Sequence, residues 1–301
     1  MKFQSQTRML ALLLSLAFVI LLAYQIGIRL QPETSEEFNG QRAYEDVVYQ
    51  VSLGPRVPGS PAHAQLVDWI VAELQENGWD ARIEESNYNG HPIRNIVASR
   101  GDNVNPDNWI ILGAHYDSRQ EADQESLPDN RVQPVPGAND GASGVAVLLE
   151  LSRVLPQETD QQVWLLFIDA EDQGNLPSRE WIEGSTAFVK DLVGRPSAVV
   201  IIDMIGDTDL NIFKEKNSNI FLTNQIWQTA ANLGYDNVFI DEFKYSIIDD
   251  HLPFIRQGIP AVDIIDFDYP YWHTLADTTD KVSSNSLEIV GRTLAQWIAD
   301  F

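Results

Sequence analysis

The 301-residue chain contains no cysteine. This absence excludes disulfide bonds, thiolate nucleophiles and every metal site that depends on cysteine ligands. If the chain binds a metal ion, the ligands must therefore be histidine, aspartate and glutamate side chains.

Positive charge is also scarce, because 20 lysine and arginine residues stand against 44 aspartate and glutamate residues, a formal net charge of -24. Such a chain repels phosphate backbones and anionic lipid headgroups, so we expect no nucleic-acid partner and no membrane contact through basic patches. Substrates that carry a positive amine suit it better. We interpret acidic runs such as Glu121–Glu125 as a solvated surface.

The composition, 44% hydrophobic and 21% charged, is that of a globular protein and excludes collagen, a coiled coil and wholesale disorder. The length accommodates a single α/β domain once one membrane or export segment is set aside.

That segment is the uncharged stretch Met9–Ile28, which is long enough to span a bilayer as a helix. Lys2 and Arg8 precede it, so the positive-inside rule places the N-terminus in the cytoplasm and the rest outside. No good small-x-small cleavage site follows. We predict a signal anchor, rather than a cleaved signal peptide, at residues 1–30, and a tether at 31–37. The catalytic domain at 38–301 would then be extracytoplasmic, attached to the membrane through this segment only, or secreted if the segment is cleaved.

From Phe38 onward, segments of helical period alternate with strand-like segments, which predicts an α/β domain with helices packed on a sheet. Four short runs rich in Ile, Val and Leu are predicted to be buried strands: WIILGAHYD, VWLLFIDAE, AVVIIDMIG and PAVDIID. The stretch Glu121–Pro136 is a polar loop that could rim a site. The predicted helices are Arg42–Val51, Ala62–Asn77, Gly144–Leu155, Ile182–Leu192, Ile220–Leu233, His251–Gln257 and Ser286–Asp300.

Acidic and imidazole side chains lie at or near the ends of these runs. Asp140, Glu171 and Asp203 follow one another at intervals of 31 and 32 residues, about one strand–helix unit each, so the units would deliver them to one edge of the sheet. A lone strand-end acid is more often a helix cap, but unrelated caps would not share this spacing. The full set is His115 with Asp117, Asp140, Glu171 with Asp172, Asp203, and His273.

Carboxylates gathered at one edge repel and raise one another's pKa unless a cation neutralises them. Oxygen and imidazole ligands suit Zn²⁺. The sequence therefore predicts a metal site at this edge.

Several motifs resemble those of the zinc-dependent aminopeptidase and glutaminyl cyclase superfamily: GAHYDSR, GANDGASGVAVLLELSRVL, FIDAEDQG, IIDMIG and YWHTLADTTDKV. The resemblance extends from about Phe38 to the C-terminus. It implies a single three-layer domain, with a mixed, mostly parallel sheet and helices on both faces. It also implies Glu171 as acid/base, with the metal-region residues His115, Asp140, Asp172, Asp203 and His273. Many members have glutamate where this chain has Asp172.

The resemblance leaves two chemistries open, both acting on peptide N-termini. A two-zinc aminopeptidase would bind one ion through His115, Asp140 and Asp203 and the other through Asp140, Asp172 and His273. A glutaminyl-peptide cyclotransferase would keep one zinc, on Asp140, Asp172 and His273, and would convert N-terminal glutamine to pyroglutamate with release of ammonia.

The stretch DDHLPFIRQGIPAVDIIDFDYPYWHT resembles animal-type glutaminyl cyclases, including Asp249 and the Trp272–His273 pair. By that resemblance, Asp249 and Asp203 form a carboxylate network with Glu171, and we hypothesise that a shared proton there keeps a second metal ion out. Three aromatic residues are candidate substrate-binding walls: Trp272, Tyr269 and Trp181.

Other segments point both ways. HTLADTTDKV resembles the aminopeptidase branch, whereas residues 38–61 resemble bacterial relatives of the cyclases. We therefore favour the cyclase and keep the aminopeptidase as the alternative. A non-catalytic receptor or adhesion module on the same fold is disfavoured, because every expected ligand position holds His, Asp or Glu.

Overall fold

The computed structural model describes residues 37–100, 109–156 and 162–301. Among these residues, no helix is long and apolar enough to cross a membrane. The predicted anchor, and the predicted tether up to residue 36, lie outside the described residues.

The described chain forms an α/β domain. Its helices are α1 (Gly40–Ser52), α2 (Pro61–Glu76), α3 (Pro128–Arg131), α4 (Ala142–Val154), α5 (Glu183–Asp191), α6 (Ile220–Asn232), α7 (His251–Arg256) and α8 (Ser284–Asp300). Its strands are β1 (Asp80–Tyr88), β2 (His91–Ser99), β3 (Trp109–His115), β4 (Gln162–Ile168), β5 (Ala198–Asp203), β6 (Ile212–Lys214), β7 (Phe239–Phe243) and β8 (Ala261–Ile265). A 3₁₀ turn at Thr279–Lys281 precedes α8.

The main sheet has six strands in the order β1-β2-β4-β3-β5-β8. Strands β4, β3, β5 and β8 run parallel to one another. Strand β2 pairs antiparallel with β4, and β1 pairs antiparallel with β2. This is the mixed, mostly parallel sheet that the resemblance implied. Strands β6 and β7 form a separate parallel pair.

Alternate side chains of the central strands enter two different cores, because successive side chains of a strand point to opposite faces. Leu112 of β3 and Val200 of β5 belong to the larger core with residues of α1, α2, α4, α6 and α8. Their neighbours Ile111 and Val199 belong to a second core with Phe188 of α5 and residues of α7. Helices therefore cover both faces of the sheet.

The seven predicted helices and four predicted strands are all confirmed, with helix ends within two residues of those observed. Local capping explains several starts: Asn39 accepts hydrogen bonds from Gln41 N and Arg42 N, and Ser60 accepts one from His63 N ahead of Pro61. Strands β1, β2, β6 and β7 were not predicted; β1, for example, is a half-exposed edge strand that carries polar side chains.

Helix α4 lies very close to the sheet, and Gly144 makes this approach possible. A Cβ atom at this position would lie 2.8 Å from Cβ of Ala114 in β3 and 2.6 Å from the carbonyl oxygen of Ile202 in β5. The close packing brings the N-terminal end of α4, and Asp140 just before it, to the end of the parallel strands.

A buried carboxylate ties α4 to the first helix. Glu150 is fully buried and accepts hydrogen bonds from Asn39 N at 2.9 Å and from the Arg42 guanidinium at 2.6 and 2.8 Å. Arg153 lies 3.3 Å from the same carboxylate and also pairs with Asp46 and Glu73. Removing one charge from such a network leaves its partners buried and uncompensated.

Glu150→Gln should therefore lower the free energy of unfolding by roughly 3 kcal/mol, as expected for breaking a buried ion pair. Urea denaturation of the domain measures the change. The matched control is Glu288→Gln on α8, where the carboxylate is exposed and 3.5 Å from Arg292; it should change stability by less than about 1 kcal/mol. Equal effects of the two substitutions would contradict the role given to Glu150.

Candidate metal centre

The residues singled out from the sequence meet at the carboxyl edge of the parallel strands. His115 is the last residue of β3, and Asp203 is the last residue of the neighbouring β5. Glu171 and Asp172 follow β4 on the other side of β3, and Asp140 precedes α4. Strand order thus delivers side chains distant in sequence to one place.

Two groups of side chains there have the spacing of metal ligands. Asp140, Asp172 and His273 form one group, and His115, Asp140 and Asp203 form the other; the ligand atoms of each group lie within 4.8 Å of one another. Asp140 belongs to both.

In the first group, Nε2 of His273 lies 2.9 Å from Oδ1 of Asp172 and 3.8 Å from Oδ2 of Asp140. In the second, Nε2 of His115 lies 3.0 Å from Oδ1 of Asp203 and 3.2 Å from Oδ1 of Asp140. In each group a ring nitrogen faces two carboxylates, so a divalent cation placed there would have both nitrogen and oxygen ligands.

Unpartnered atoms test whether a metal ion fits. Among the described residues, His273 Nε2, Asp140 Oδ2 and Asp172 Oδ2 are buried and have no hydrogen-bond partner. Buried polar atoms are rarely left so, and an ion is one of the usual reasons. Imidazole nitrogen with carboxylate oxygen is a donor set that Zn²⁺ accepts. The residues present therefore fit a zinc ion at the Asp140, Asp172 and His273 group.

The backbone at this edge is held in an unusual conformation. Ala170, Met204 and His273 all have positive φ, of 51°, 47° and 55°. Non-glycine residues seldom adopt this region, and such strain clusters at functional sites. Each lies beside, or is itself, a residue of the candidate site.

Asp117 holds the turn that carries two site residues. Its carboxylate accepts hydrogen bonds from Glu171 N at 3.1 Å, Asp172 N at 3.3 Å and Gln173 Nε2 at 2.9 Å, and it lies 3.5 Å from Nδ1 of His115. Burial alone would raise the pKa of Asp117, but attraction to the His115 imidazole and the hydrogen bonds from Gln173 and Glu171 N lower it. From the sequence, Asp117 was grouped with His115 but given no role. In the structure it accepts hydrogen bonds from the turn that carries Glu171 and Asp172.

The interpretation of Glu121–Glu125 as a solvated surface was wrong for two of its acids. Asp123 Oδ1 lies 3.0 Å from Nδ1 of His273, and its Oδ2 accepts from Arg119 at 2.7 Å. Glu125 Oε1 accepts from Leu275 N at 3.0 Å. Asp123 and Glu125 therefore contact the segment that carries His273, across 150 residues of sequence, which local charge patterning does not reveal.

A cavity of about 240 Å³ opens beside the two groups. Its lining combines acidic site residues and His273, which we call the acidic wall, with apolar residues that include Trp181, Trp272, Phe267 and Ile265, which we call the apolar wall. Two of the three candidate aromatic residues, Trp181 and Trp272, therefore lie in the cavity wall.

The third aromatic residue, Tyr269, is not among the residues that line this cavity. Its side chain is buried, and its hydroxyl donates a hydrogen bond to Asp277 Oδ1 at 2.6 Å. Asp277 in turn accepts from Asn139 N and Asp140 N. Tyr269 therefore holds Asp277, which binds the backbone of the segment that carries Asp140.

Two acids of the cavity are buried close to other carboxylates. Burial raises the pKa of Glu171 well above its ordinary value, and repulsion from Asp172 and Asp249 adds to it. Burial also raises the pKa of Asp203 to about 7, with further repulsion from Asp140 and Asp249. Without a cation, these groups hold protons more tightly than free carboxylates do.

Asp249 continues this acidic wall. It is buried, lines the cavity with Glu171 and Asp203, and has an Oδ2 atom with no hydrogen-bond partner among the described residues. His251 and Asp263 are also fully buried, with His251 Nδ1 3.7 Å from Asp263 Oδ2. Asp203, Asp249 and Glu171 thus line the same cavity, and the hydrogen-bonded network among them stays a prediction.

The fold is similar to that of a Zn-dependent exopeptidase from Parabacteroides distasonis, with a TM-score of 0.83 at 30% identity, covering 89% of this chain and 100% of that one. Residues 95–298 match the family described as Peptidase family M28, and the chain belongs to that family. It is 27% identical over 289 residues to the glutaminyl-peptide cyclotransferase of Drosophila melanogaster, covering 81% of this chain and 77% of the relative.

Solved structures with both activities in their names are similar to it. A leucine aminopeptidase precursor from Bacteroides thetaiotaomicron has a TM-score of 0.83 at 30% identity, covering 89% of this chain and 99% of that one. The glutaminyl cyclase of Tannerella forsythia has a TM-score of 0.82 at 30% identity, covering 88% and 100%. Similarity of fold alone therefore does not choose between the two chemistries.

Removing the ion should destabilise the protein, because the clustered carboxylates lose their counter-charge. A ligand present at 1,000 times its Kd contributes about 4 kcal/mol, so EDTA should lower Tm by roughly 10 °C for a domain of this size. Differential scanning calorimetry measures the shift. Asp140→Asn, which removes the shared ligand charge, should make Tm insensitive to EDTA. Unchanged melting of the wild type after verified metal loss would contradict this prediction.

Proposed function

We propose that the protein is a zinc-dependent glutaminyl-peptide cyclotransferase, which converts the N-terminal glutamine of a peptide to pyroglutamate and releases ammonia. The observation that carries the proposal is the position of Asp249, a buried carboxylate that lines the cavity together with Glu171 and Asp203. It adds an acid to the cavity beyond those of the two candidate ligand groups.

The cavity suits a short, uncharged side chain next to an amine. Its apolar wall, with Trp272 and Phe267, would pack against the methylene groups of glutamine, and the rings of these two residues are 5.3 Å apart. The acidic wall would hold the substrate's α-amine. This chemistry agrees with the strongly negative charge of the chain.

Zinc, when bound at Asp140, Asp172 and His273, would polarise the γ-amide carbonyl of the glutamine. The α-amine nitrogen attacks the γ-carbonyl carbon, a C–N bond forms within the residue, and the C–N bond to the amide nitrogen breaks. Glu171 accepts the proton that the amine loses and donates it to the departing nitrogen, which leaves as ammonia. No water is consumed. Holding the two groups of one residue in attack geometry contributes roughly 7–11 kcal/mol to lowering such a barrier.

The proposal includes a single zinc ion per chain. Burial, with repulsion from Asp140 and Asp249, raises the pKa of Asp203 to about 7 and so favours its protonated form. A protonated Asp203 is a poor metal ligand, so the group of His115, Asp140 and Asp203 would stay without an ion. His115 then serves as a hydrogen-bonding partner of Asp203 at 3.0 Å.

The two-zinc aminopeptidase is the second candidate. The observation that favours it is the ligand spacing of His115, Asp140 and Asp203, which matches that of the first group. In that reaction Glu171 would take a proton from an attacking water instead of an amine.

The membrane anchor at residues 1–30, and with it an extracytoplasmic location, stays a prediction from the sequence.

A paired assay distinguishes the two reactions. Purified protein is incubated with a glutaminyl dipeptide and, separately, with leucyl amide; the products measured are pyroglutamyl peptide with ammonia in the first and free leucine in the second. We expect pyroglutamyl peptide to be the dominant product. Glu171→Gln should lower kcat at least about 100-fold, because it removes the proton carrier, while zinc content stays unchanged. Free leucine as the main product would replace the cyclase with the aminopeptidase.

Metal counting gives an independent prediction. Wild-type protein should retain one tightly bound zinc per chain, measured by mass spectrometry of the metal after gel filtration. Asp249→Asn should allow a second equivalent, because Asp203 then ionises and completes the second group. The matched control is Asp250→Asn, since Asp250 is equally buried but does not line the cavity; it should retain one. Two equivalents on the wild type would overturn the single-zinc proposal.

A further inference from the structure

We propose that Arg119 and Asp123 are positioning residues that orient two ligands of the candidate zinc site, His273 and Asp172, and fix the Trp181 wall at the same time. We call these two residues the Arg119–Asp123 pair. The inference concerns the metal site itself and holds for either reaction considered above.

Arg119 is a buried cation with several fixed contacts. Its side chain is 1% exposed. Nη1 donates to the carbonyl oxygen of Asp172 at 3.0 Å and lies 3.6 Å from that residue's Oδ1, and Nη2 donates to the carbonyl oxygen of Gly174 at 3.0 Å. Nη2 also donates to Asp123 Oδ2 at 2.7 Å. A planar guanidinium can make these contacts together because its donors diverge in a fixed fork.

Asp123 in turn holds the imidazole ring of His273. With Oδ2 held by Arg119, its Oδ1 lies 3.0 Å from Nδ1 of His273. A proton on Nδ1 then leaves the lone pair of Nε2 free, and Nε2 is the atom that faces Asp172 and Asp140. A carboxylate in this position fixes both the ring and its tautomer for metal binding.

The backbone of the same loop reinforces the arrangement. Gln124 N donates to the carbonyl oxygen of His273 at 3.3 Å, and Glu125 accepts from Leu275 N at 3.0 Å. His273 has φ of 55°, a conformation that an ordinary residue keeps only when its surroundings hold it. The contacts from Asp123, Gln124 and Glu125 supply that support.

The pair also reaches the apolar wall of the cavity. The Arg119 guanidinium lies 4.8 Å from the centre of the Trp181 ring, and that ring is nearly parallel to His273 at 5.9 Å. Gly174, whose carbonyl Arg119 binds, lies so close to Trp181 that a Cβ atom would overlap the indole. One guanidinium thus fixes a ligand-bearing turn, the partner of a ligand histidine and a wall residue.

The test measures zinc affinity directly, by competition with a chelating indicator on metal-free protein, so it needs no turnover. Arg119→Met and Asp123→Asn should each weaken zinc binding by roughly 10–100-fold, the usual effect of losing a partner of a metal ligand. Arg119→Lys should stay weakened at least about 10-fold, because an ammonium keeps the charge but lacks the fork. The Co²⁺-substituted protein should show a changed visible spectrum in Asp123→Asn.

The matched control is Arg153→Met. Arg153 is also a largely buried arginine with several carboxylate partners, but it contacts α1, α2 and α4 away from the cavity. It should lose stability while zinc affinity and the Co²⁺ spectrum stay those of the wild type.

Wild-type zinc affinity in Arg119→Met would overturn the proposal. If that variant does not fold, Asp123→Asn decides, since Asp123 is partly exposed and its substitution disturbs the core less. An unchanged affinity and an unchanged Co²⁺ spectrum in Asp123→Asn would likewise overturn it. Neither result bears on whether glutaminyl peptides are cyclised, so failure of this inference and failure of the proposed function are separable.

Discussion

Several carboxylates are buried together at one edge of the sheet, where they repel one another. Asp140, Glu171, Asp172, Asp203 and Asp249 line a single cavity. Burying like charges together is costly unless protons, cations or hydrogen-bond donors offset them. The surrounding structure supplies imidazole rings, backbone N–H groups and a guanidinium, and the geometry leaves donor atoms free for a metal ion.

The fold meets this constraint through strand order. Strand β3 lies between β4 and β5, so His115 stands between the acids that follow its two neighbours. Asp117 then binds the turn after β4 through its backbone, and Asp277 binds the segment before α4 in the same way. Carboxylates outside the ligand groups thus act as acceptors for the backbone that carries the ligands, which keeps the site rigid.

Much of this was predictable from the sequence. Strands β3, β4, β5 and β8 are apolar and buried, so they stand out as short runs of Ile, Val and Leu. The intervals between Asp140, Glu171 and Asp203 reflect repeated strand–helix units, and the structure brings all three together. The ligand and catalytic roles of these residues rest on the resemblance and stay predictions.

Several features could not be predicted from local sequence patterns. Strand β1 is an exposed edge strand with little apolar patterning. Asp123 sits in an acidic loop, and its contact with His273 depends on tertiary packing that composition cannot encode. Tyr269 resembled a wall residue because it lies near Trp272, yet its hydroxyl finds Asp277 instead. Proximity in sequence does not fix the direction of a side chain in a loop.

The left-handed residues beside the ligands also bear on the order in which the protein assembles. Ala170, Met204 and His273 adopt their backbone conformation only where sheet and loops impose it. An unfolded or half-formed chain would relax each of them and scatter the donor atoms. We therefore expect the metal ion to bind after the domain has folded, and we do not expect it to initiate folding.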